Sequence, residues 1–203
     1  MKQTVKNRGI KLIWHFTKIE NLDSILQEGI IPRATLDARG GDIEFNDSFR
    51  YDEQRDANCL SIGYPNYKMF YRLQQEDKAQ DWVICAVKPN ILWLKECAFC
   101  NENAASNNVT AIPIERRKGK DSFEKLFEPV EGKPDRTALK LPDDYPTNPQ
   151  AEVLVFGVIE PRYIIGAAVP NKDIENELKA KHSDFEFRCL RSLFRPRLDY
   201  AHW

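Results

Sequence analysis

The chain has 203 residues and a mass of 23.6 kDa, which predicts one domain over residues 1–203 because chains usually divide into domains beyond roughly 250 residues. Its 30 basic and 31 acidic side chains nearly balance, so a uniformly basic nucleic-acid binder is excluded and any such site must be local. The sequence predicts no signal peptide and no membrane span, and its five scattered cysteines are typical of reduced core residues in a cytoplasmic protein.

The first half of the chain is predicted to alternate strands with short helices. Residues 10–16 form an apolar strand, and Thr17 and Glu20 form a capping box for a helix that ends at Gly29. Residues 33–58 are polar and predict a long loop with a short helix, and long loops in compact domains are often functional. Further elements are strands at 57–64 and 82–89, a helix at 65–75 that begins with Pro65, and a segment at 91–99 that fits either a strand or a helix.

The second half begins with a change in composition. Residues 113–149 are rich in charge and proline and predict a loop or flap, within which 122–130 fits a short helix. Strands at 151–159 and 163–170 and an amphipathic helix at 173–182 follow. Helices lie early and late while strands cluster around and after the middle, which predicts an α+β fold with a mainly antiparallel sheet.

A carboxylate stands at the start of the late apolar strand. Glu152 precedes Val153, and Gln150 lies two positions earlier. Because side chains alternate along a strand, Glu152 shares a face with Leu154 and is able to point into a cleft at the strand end. The alternative is a charge that merely ends the strand against water.

Other candidate residues have both a functional and a structural interpretation. His15 and Thr17 lie where a strand meets a helix and suit hydrogen bonds to a sugar or an amide, although a core histidine and a helix cap fit equally. Arg50 and Arg55 suit an anion clamp or a solvated charged loop. Tyrosines at 64, 67 and 71 suit ring stacking or half-buried packing. Cys97-x-x-Cys100 lacks a second pair of ligands, so no metal site is expected.

Together, several segments resemble the DarT family of DNA ADP-ribosyltransferase toxins, within the ADP-ribosyltransferase superfamily. The resemblance runs through HFT, NLDSILQEGI, an arginine-bearing loop, PNYKMFY, FCNENAASN and QAEVLV, and covers roughly residues 10–170. It implies an ADP-ribosyltransferase-like fold with a split, mainly antiparallel sheet and flanking helices. It also implies transfer of ADP-ribose from NAD, with no metal, to a nucleobase of single-stranded DNA, and a toxin of a toxin–antitoxin or anti-phage system with a macrodomain antitoxin as partner.

The resemblance also implies roles for individual residues. His15 and Thr17 would hold the ribose and nicotinamide end of NAD, and Tyr71 or Tyr67 would cover the nicotinamide ring. Arg50, with Arg55 as the alternative, would contribute to NAD handling and catalysis. The catalytic carboxylate would be Glu152, and Gln150 would belong to a substrate-recognition loop at about 113–151.

The nucleic acid needs a site of its own. Arg116, Arg117, Lys118 and Lys120 are able to neutralise phosphates, as are the arginines of the C-terminal tail. Ordinary solvated surface is the alternative for each cluster. A base attacked at a ring nitrogen must be unpaired, which favours a single-stranded or flipped substrate.

Three other functions compete with DNA modification. Transfer to RNA or to a terminal phosphate uses the same residues, so the sequence leaves it open. A metal-dependent nuclease is disfavoured because the strand that begins at Glu152 lacks the nearby lysine usual in such sites. An inert nucleic-acid-binding module would leave Glu152 as a strand-end charge.

Overall fold

The strands of the computed structural model, which describes residues 1–40 and 54–203, form one seven-stranded sheet. The strands lie in the order β4-β5-β2-β1-β3-β6-β7, and neighbours are antiparallel except for the parallel pair β6 and β7. The predicted α+β fold with a mainly antiparallel sheet is thereby confirmed. The strands are β1 (Ile13–Lys18), β2 (Ala57–Ile62), β3 (Trp82–Val87), β4 (Cys97–Cys100), β5 (Glu152–Phe156), β6 (Ile164–Val169) and β7 (Glu186–Cys189).

Short helices flank the sheet and connect its strands. None of the helices within the two described ranges is long and apolar enough to cross a bilayer. The α-helices are α1 (Lys2–Asn7), α2 (Leu22–Glu28), α3 (Arg33–Arg39), α4 (Tyr67–Glu76), α5 (Ile91–Leu94), α6 (Asn107–Thr110), α7 (Gly119–Lys125) and α8 (Lys172–Lys181). Turns of 3₁₀-helix lie at Ile19–Asn21, Ile114–Arg117, Pro161–Tyr163, Arg191–Phe194 and Tyr200–His202.

Both faces of the sheet are covered, as the central strand β3 shows. All its residues are buried, because alternate side chains enter different clusters. Val83, Cys85 and Val87 join the main core with α2 and α8, whereas Ile84 packs with Phe70 of α4 on the other face. Phe70 is 1% exposed, and truncating a phenylalanine buried to this degree costs roughly 3–5 kcal/mol. This packing fixes α4 against the sheet.

The sheet opens between two neighbouring strands. β1 and β2 pair through Ile13 with Ile62 and Trp14 with Ser61, while β1 pairs with β3 along its whole length. Further along, the side chain of His15 reaches β2 through the carbonyl oxygen of Cys59. A pocket lies at this opening between β1 and β2.

Two predicted helix starts were wrong for the same reason. Thr17 lies inside β1, and α2 begins at Leu22 after a 3₁₀ turn, with Asn21 at its cap position. Likewise α4 begins at Tyr67 and is capped by Asn66, whose side-chain oxygen accepts from the amide of Met69. In both places the helix begins later than predicted and directly after an asparagine, a residue type favoured at the cap position.

Part of the predicted loop at 113–149 belongs to the core. Phe123, Leu126 and Phe127 are buried, and the Phe99 and Phe123 rings meet edge to face at 5.3 Å. Their spacing places them on one side of α7 and the turn that follows it. The irregular part of the loop therefore lies after this aromatic cluster.

Candidate active site

The pocket lies at the opening between β1 and β2, and residues from both faces of the sheet line it. Its walls come from β1, β2, α2, α3 and their connections, together with one residue of α4 and one of β5. The described lining residues are Trp14, His15, Phe16, Thr17, Asn21, Ser24, Ile25, Glu28, Gly29, Ile30, Ile31, Arg33, Leu36, Arg39, Asn58, Cys59, Leu60, Ser61, Met69 and Glu152. The lining combines apolar and aromatic walls with a few polar groups, which is typical of a small-molecule site.

His15 and Thr17, two of the candidate residues from the sequence, both line this pocket. His15 Nδ1 lies 3.0 Å from the carbonyl oxygen of Cys59. A carbonyl only accepts, so Nδ1 donates, and the neutral ring then carries an acceptor at Nε2. Thr17 is buried, and its hydroxyl oxygen accepts from Asn21 Nδ2 at 3.1 Å. The site thus has an ordered histidine suited to accept from a hydroxyl.

Glu152 is the first residue of β5 and is only 5% exposed. Its Oε1 accepts from Asn66 Nδ2 at 3.0 Å, and its Oε2 accepts from the backbone amide of Ala104 at 2.8 Å. The predicted alternation holds, because Val153 enters the main core while Leu154 packs with Ala104 on the opposite face. The carboxylate is therefore a buried, ordered group of the pocket and does more than end a strand against water.

Two groups that hold this carboxylate were absent from the sequence predictions. Asn66 gave only a cap signal, as an asparagine after proline at the start of a helical pattern. Ala104 contributes a backbone amide, which no side-chain pattern reveals. The segment around Ala104 entered the sequence analysis only as FCNENAASN, one of the segments that resemble the DarT family.

The arginines that the sequence analysis selected differ from the arginines that line the pocket. Arg50 lies outside the described residues. Arg55 is exposed and forms an ion pair with Asp37 of α3, away from the pocket lining. Arg33 and Arg39 do line the pocket, although the sequence analysis did not select them. They lie six residues apart in the polar segment predicted as a long loop, a spacing that does not place both on one helical face.

Neither predicted tyrosine lines the pocket among the described residues. Tyr67 is buried and Tyr71 is 57% exposed. Consecutive helical residues turn by about 100°, so a helix that presents Met69 to the pocket points both tyrosines about 200° away. The aromatic side chains that line the pocket are Trp14 and Phe16, and Phe16 stacks on Phe70 at 4.8 Å. The packing of α4 against the sheet therefore determines which of its residues face the pocket.

The predicted substrate-binding residues are not equivalent. Gln150 is half-buried two residues before β5, and its backbone amide donates to Asn148 Oδ1. Arg116 is exposed, but Arg117 is 6% exposed and donates to Cys100 Sγ. An inward guanidinium of this kind cannot serve as a surface phosphate contact, so the prediction for Arg117 is corrected.

Lys118 is occupied by neighbouring carboxylates. Its ammonium pairs with Glu115 at 2.6 Å and also with Glu96. These hydrogen bonds raise the pKa of Lys118. Binding of a phosphate by Lys118 would therefore have to compete with two existing ion pairs.

The structure shows no cluster suited to a metal ion within residues 1–40 and 54–203. Cys97 and Cys100 are both buried in β4, and Cys97 Sγ donates to the carbonyl oxygen of Ile91. Burial raises the pKa of the Cys97 thiol to about 12. A thiol held neutral in this way is a packing group of the core.

Comparisons with known proteins give a family and a fold. A search of curated proteins finds no match. Among solved structures, this chain is similar to Thermosipho africanus DarTG in complex with ADP-ribose, with a TM-score of 0.64 and 20% sequence identity. The similar region covers 91% of this chain and 51% of that one. This chain thus spans about half the length of that relative.

Two further matches are structures of Thermus sp. 2.9 DarT, which this chain spans almost completely. The complex with carba-NAD+ has a TM-score of 0.62 at 14% identity, covering 91% of this chain and 98% of that one. The complex with ADP-ribosylated ssDNA has a TM-score of 0.52 at 12% identity, covering 92% and 97%. These matches confirm the ADP-ribosyltransferase-like fold. The family model described as "ssDNA thymidine ADP-ribosyltransferase, DarT" matches residues 14–198, and the chain therefore belongs to the DarT family.

Proposed function

We propose that this chain transfers ADP-ribose from NAD to a thymidine base of single-stranded DNA, with Glu152 as the catalytic carboxylate. The observation that carries the proposal is the common pocket of Glu152, His15 and Thr17. These residues come from two strands, β5 and β1, that are separated by β2 in the sheet. The fold, and not local sequence, brings them together.

The pocket fits NAD by the chemistry of its lining. Trp14 and Phe16 provide aromatic walls, and His15 supplies the acceptor suited to a ribose hydroxyl. Arg33 and Arg39 line the α3 side, where they would hold a diphosphate, and Arg39 would exchange its ion pair with Glu28 for a phosphate oxygen. NAD supplies the nicotinamide–ribose bond that breaks in the reaction. The Thermus relative has been solved with NAD+ in place, which supports this assignment.

Glu152 would act by electrostatics and by moving a proton. Positive charge develops on the ribose as the nicotinamide leaves, and a preorganised carboxylate lowers that barrier. The hydrogen bonds from Asn66 and Ala104 fix both carboxylate oxygens before the substrate arrives. Glu152 would also accept the proton that a thymine ring nitrogen loses as it attacks. Burial of the carboxylate excludes water that would otherwise hydrolyse NAD.

The remaining predicted site residues enter the proposal with different roles. Arg50 is proposed as the catalytic arginine, with Arg55 as the alternative. Gln150 is proposed to contact the base from the recognition loop at about 113–151. Exposed Arg116 is the phosphate contact of the basic segment, with Lys118 beside it. A ring nitrogen is reachable only in an unpaired base, so single-stranded DNA is the proposed substrate.

The biological proposal follows from the family. The chain would act in the cytoplasm, where NAD and DNA meet, as the toxin of a toxin–antitoxin or anti-phage system. Modified bases block pairing, which explains toxicity. The matched structure named DarTG supports a macrodomain antitoxin as the partner that removes the modification.

The test is transfer from radiolabelled NAD to oligonucleotides. We expect label on thymidine-containing single-stranded DNA and little on the duplex, with Glu152→Gln lowering the rate about 100-fold or more because a charge-stabilising group is lost. The exposed Glu131→Gln is the matched control. RNA of the same sequence is the competing acceptor. Labelling that is unchanged in E152Q, or that is confined to RNA, would overturn the proposal.

A further inference from the structure

Asn66 is the most completely buried polar residue beside the proposed catalytic carboxylate. It lies between β2 and α4 and has no exposed surface (0%). Its side-chain oxygen accepts from the amide of Met69, and its backbone amide donates to Ser61 Oγ at 3.0 Å. The residue is thereby fixed to a strand on one side and to a helix on the other.

The remaining polar group of Asn66 is its side-chain NH₂, which donates to Glu152 Oε1 at 3.0 Å. The other oxygen, Oε2, accepts from Ala104 at 2.8 Å. Two donors from separate segments therefore restrain the carboxylate against rotation. Of the two, only the Asn66 donor is a side chain, so it is the one that substitution can remove.

Helix capping alone does not require asparagine at this position. Asparagine, aspartate and serine cap helices about equally well. Among them, only the carboxamide accepts from the helix through oxygen and donates to a carboxylate through nitrogen at the same time. A lysine or arginine would also donate, but its charge would offset the negative potential of Glu152. A neutral donor orients the carboxylate and leaves its charge available to the reaction.

The chain contains a natural comparison. Asn171 caps α8, and its side-chain oxygen accepts from the amide of Ile174. The α4 and α8 helices each have 10 residues. Asn171 shares the capping geometry of Asn66 but is not among the described residues that line the pocket. Substitutions at Asn171 therefore report the effect of capping alone.

We propose that Asn66 is a positioning residue that holds Glu152 in its reactive orientation, an inference that rests on the proposed function of Glu152. The donor hydrogen bond, and not the helix cap, is the feature that the reaction needs. Aspartate at this position keeps the shape and the cap but removes the donor and sets a like charge beside Glu152. Serine keeps a cap and removes only the amide donor.

The test compares Asn66→Ser and Asn66→Asp with Asn171→Ser and Asn171→Asp. We expect kcat to fall about 10-fold in N66S and about 100-fold or more in N66D, the size of loss that follows a misplaced catalytic group. The KM for NAD should change less than threefold, because the substrate-holding residues remain. Both Asn171 variants should keep wild-type kcat. A cap-only role predicts that N66S and N66D both stay close to wild type, because serine and aspartate cap about as well as asparagine, and that result would overturn the inference.

A second readout separates this inference from the proposed function. Crystal structures of N66D and N171D show whether the Glu152 side chain has moved. Displacement in N66D alone supports positioning even if wild-type protein labels no oligonucleotide, a result that would defeat the proposed function only. An unmoved Glu152 in N66D overturns the inference even if transfer by the wild type and its loss in E152Q are both observed.

Discussion

At the scale of single residues, Glu152 shows which features of a site a local sequence pattern can predict. Strand alternation predicted that it shares a face with Leu154, and the structure confirms this, with Val153 turned to the main core. Strand alternation could not predict which groups donate hydrogen bonds to the Glu152 carboxylate. Asn66 is 86 positions away from Glu152 in sequence and Ala104 is 48 away, so their contacts depend on how the strands pair.

His15 gives the first residue-scale prediction. Its Nδ1 is committed to the Cys59 carbonyl, so His15→Ala removes an oriented acceptor from the pocket. We expect the Kd for NAD, measured by calorimetry, to rise about 10-fold, because one hydrogen bond contributes roughly 0.5–1.5 kcal/mol. The exposed His202→Ala should leave the Kd unchanged. An unaltered Kd in H15A would show that His15 is a packing residue.

At the scale of elements, the segment before β5 is held by two arginines. Thr147 is fully buried, its hydroxyl oxygen accepts from Arg136 at 3.0 Å, and its carbonyl accepts from Arg197 at 2.7 Å. Arg197 also donates to the carbonyl of Pro146 and forms a buried ion pair with Asp199. The C-terminal tail thus anchors the segment that leads to Glu152.

Arg197 therefore gives an element-scale prediction. Arg197→Ala leaves Asp199 buried without its ion-pair partner and two carbonyls without these donors, so the free energy of unfolding should fall by roughly 3–5 kcal/mol. Urea denaturation measures this loss. The exposed neighbour Arg195→Ala should change stability by less than about 0.5 kcal/mol. Equal losses in the two variants would contradict the anchoring role.

The elements that sequence predicted well are those whose signal is local. The strands 82–89 and 163–170 and the helix 173–182 lie close to β3, β6 and α8, since apolar periodicity alone defines them. The segment 91–99 divides into α5 and β4, so both alternatives held in part. The apolar face of α4, with Phe70 and Leu73 packed against the sheet, follows helical spacing in the sequence, and it turns Tyr67 and Tyr71 away from the side of the helix that carries Met69.

At the scale of the whole molecule, the C-terminal tail connects the two regions that position Glu152. Arg197 binds the segment before β5, and the single hydroxyl hydrogen of Tyr64 is shared between the carbonyls of Arg195, at 2.9 Å, and of Ser192. Tyr64 lies shortly before Asn66 in the connection from β2 to α4. Stability of the tail and geometry of the pocket are therefore coupled, and no local sequence pattern reveals this coupling.

Tyr64 makes the coupling measurable through pH. Burial raises the pKa of Tyr64 to about 12 from its ordinary value of 10.0, because the folded state favours the neutral hydroxyl. The resulting stabilisation is fully present below pH 10 and is lost as the pH rises through 12. We expect Tyr64→Phe to be about 1 kcal/mol less stable than wild type at pH 8, since the hydrogen bond donated by the Tyr64 hydroxyl is lost. Urea denaturation between pH 8 and pH 12 should show this gap closing for Y64F, whereas the exposed Tyr71→Phe should follow wild type throughout. A gap that stays constant across this range would show that the Tyr64 hydroxyl does not hold the tail.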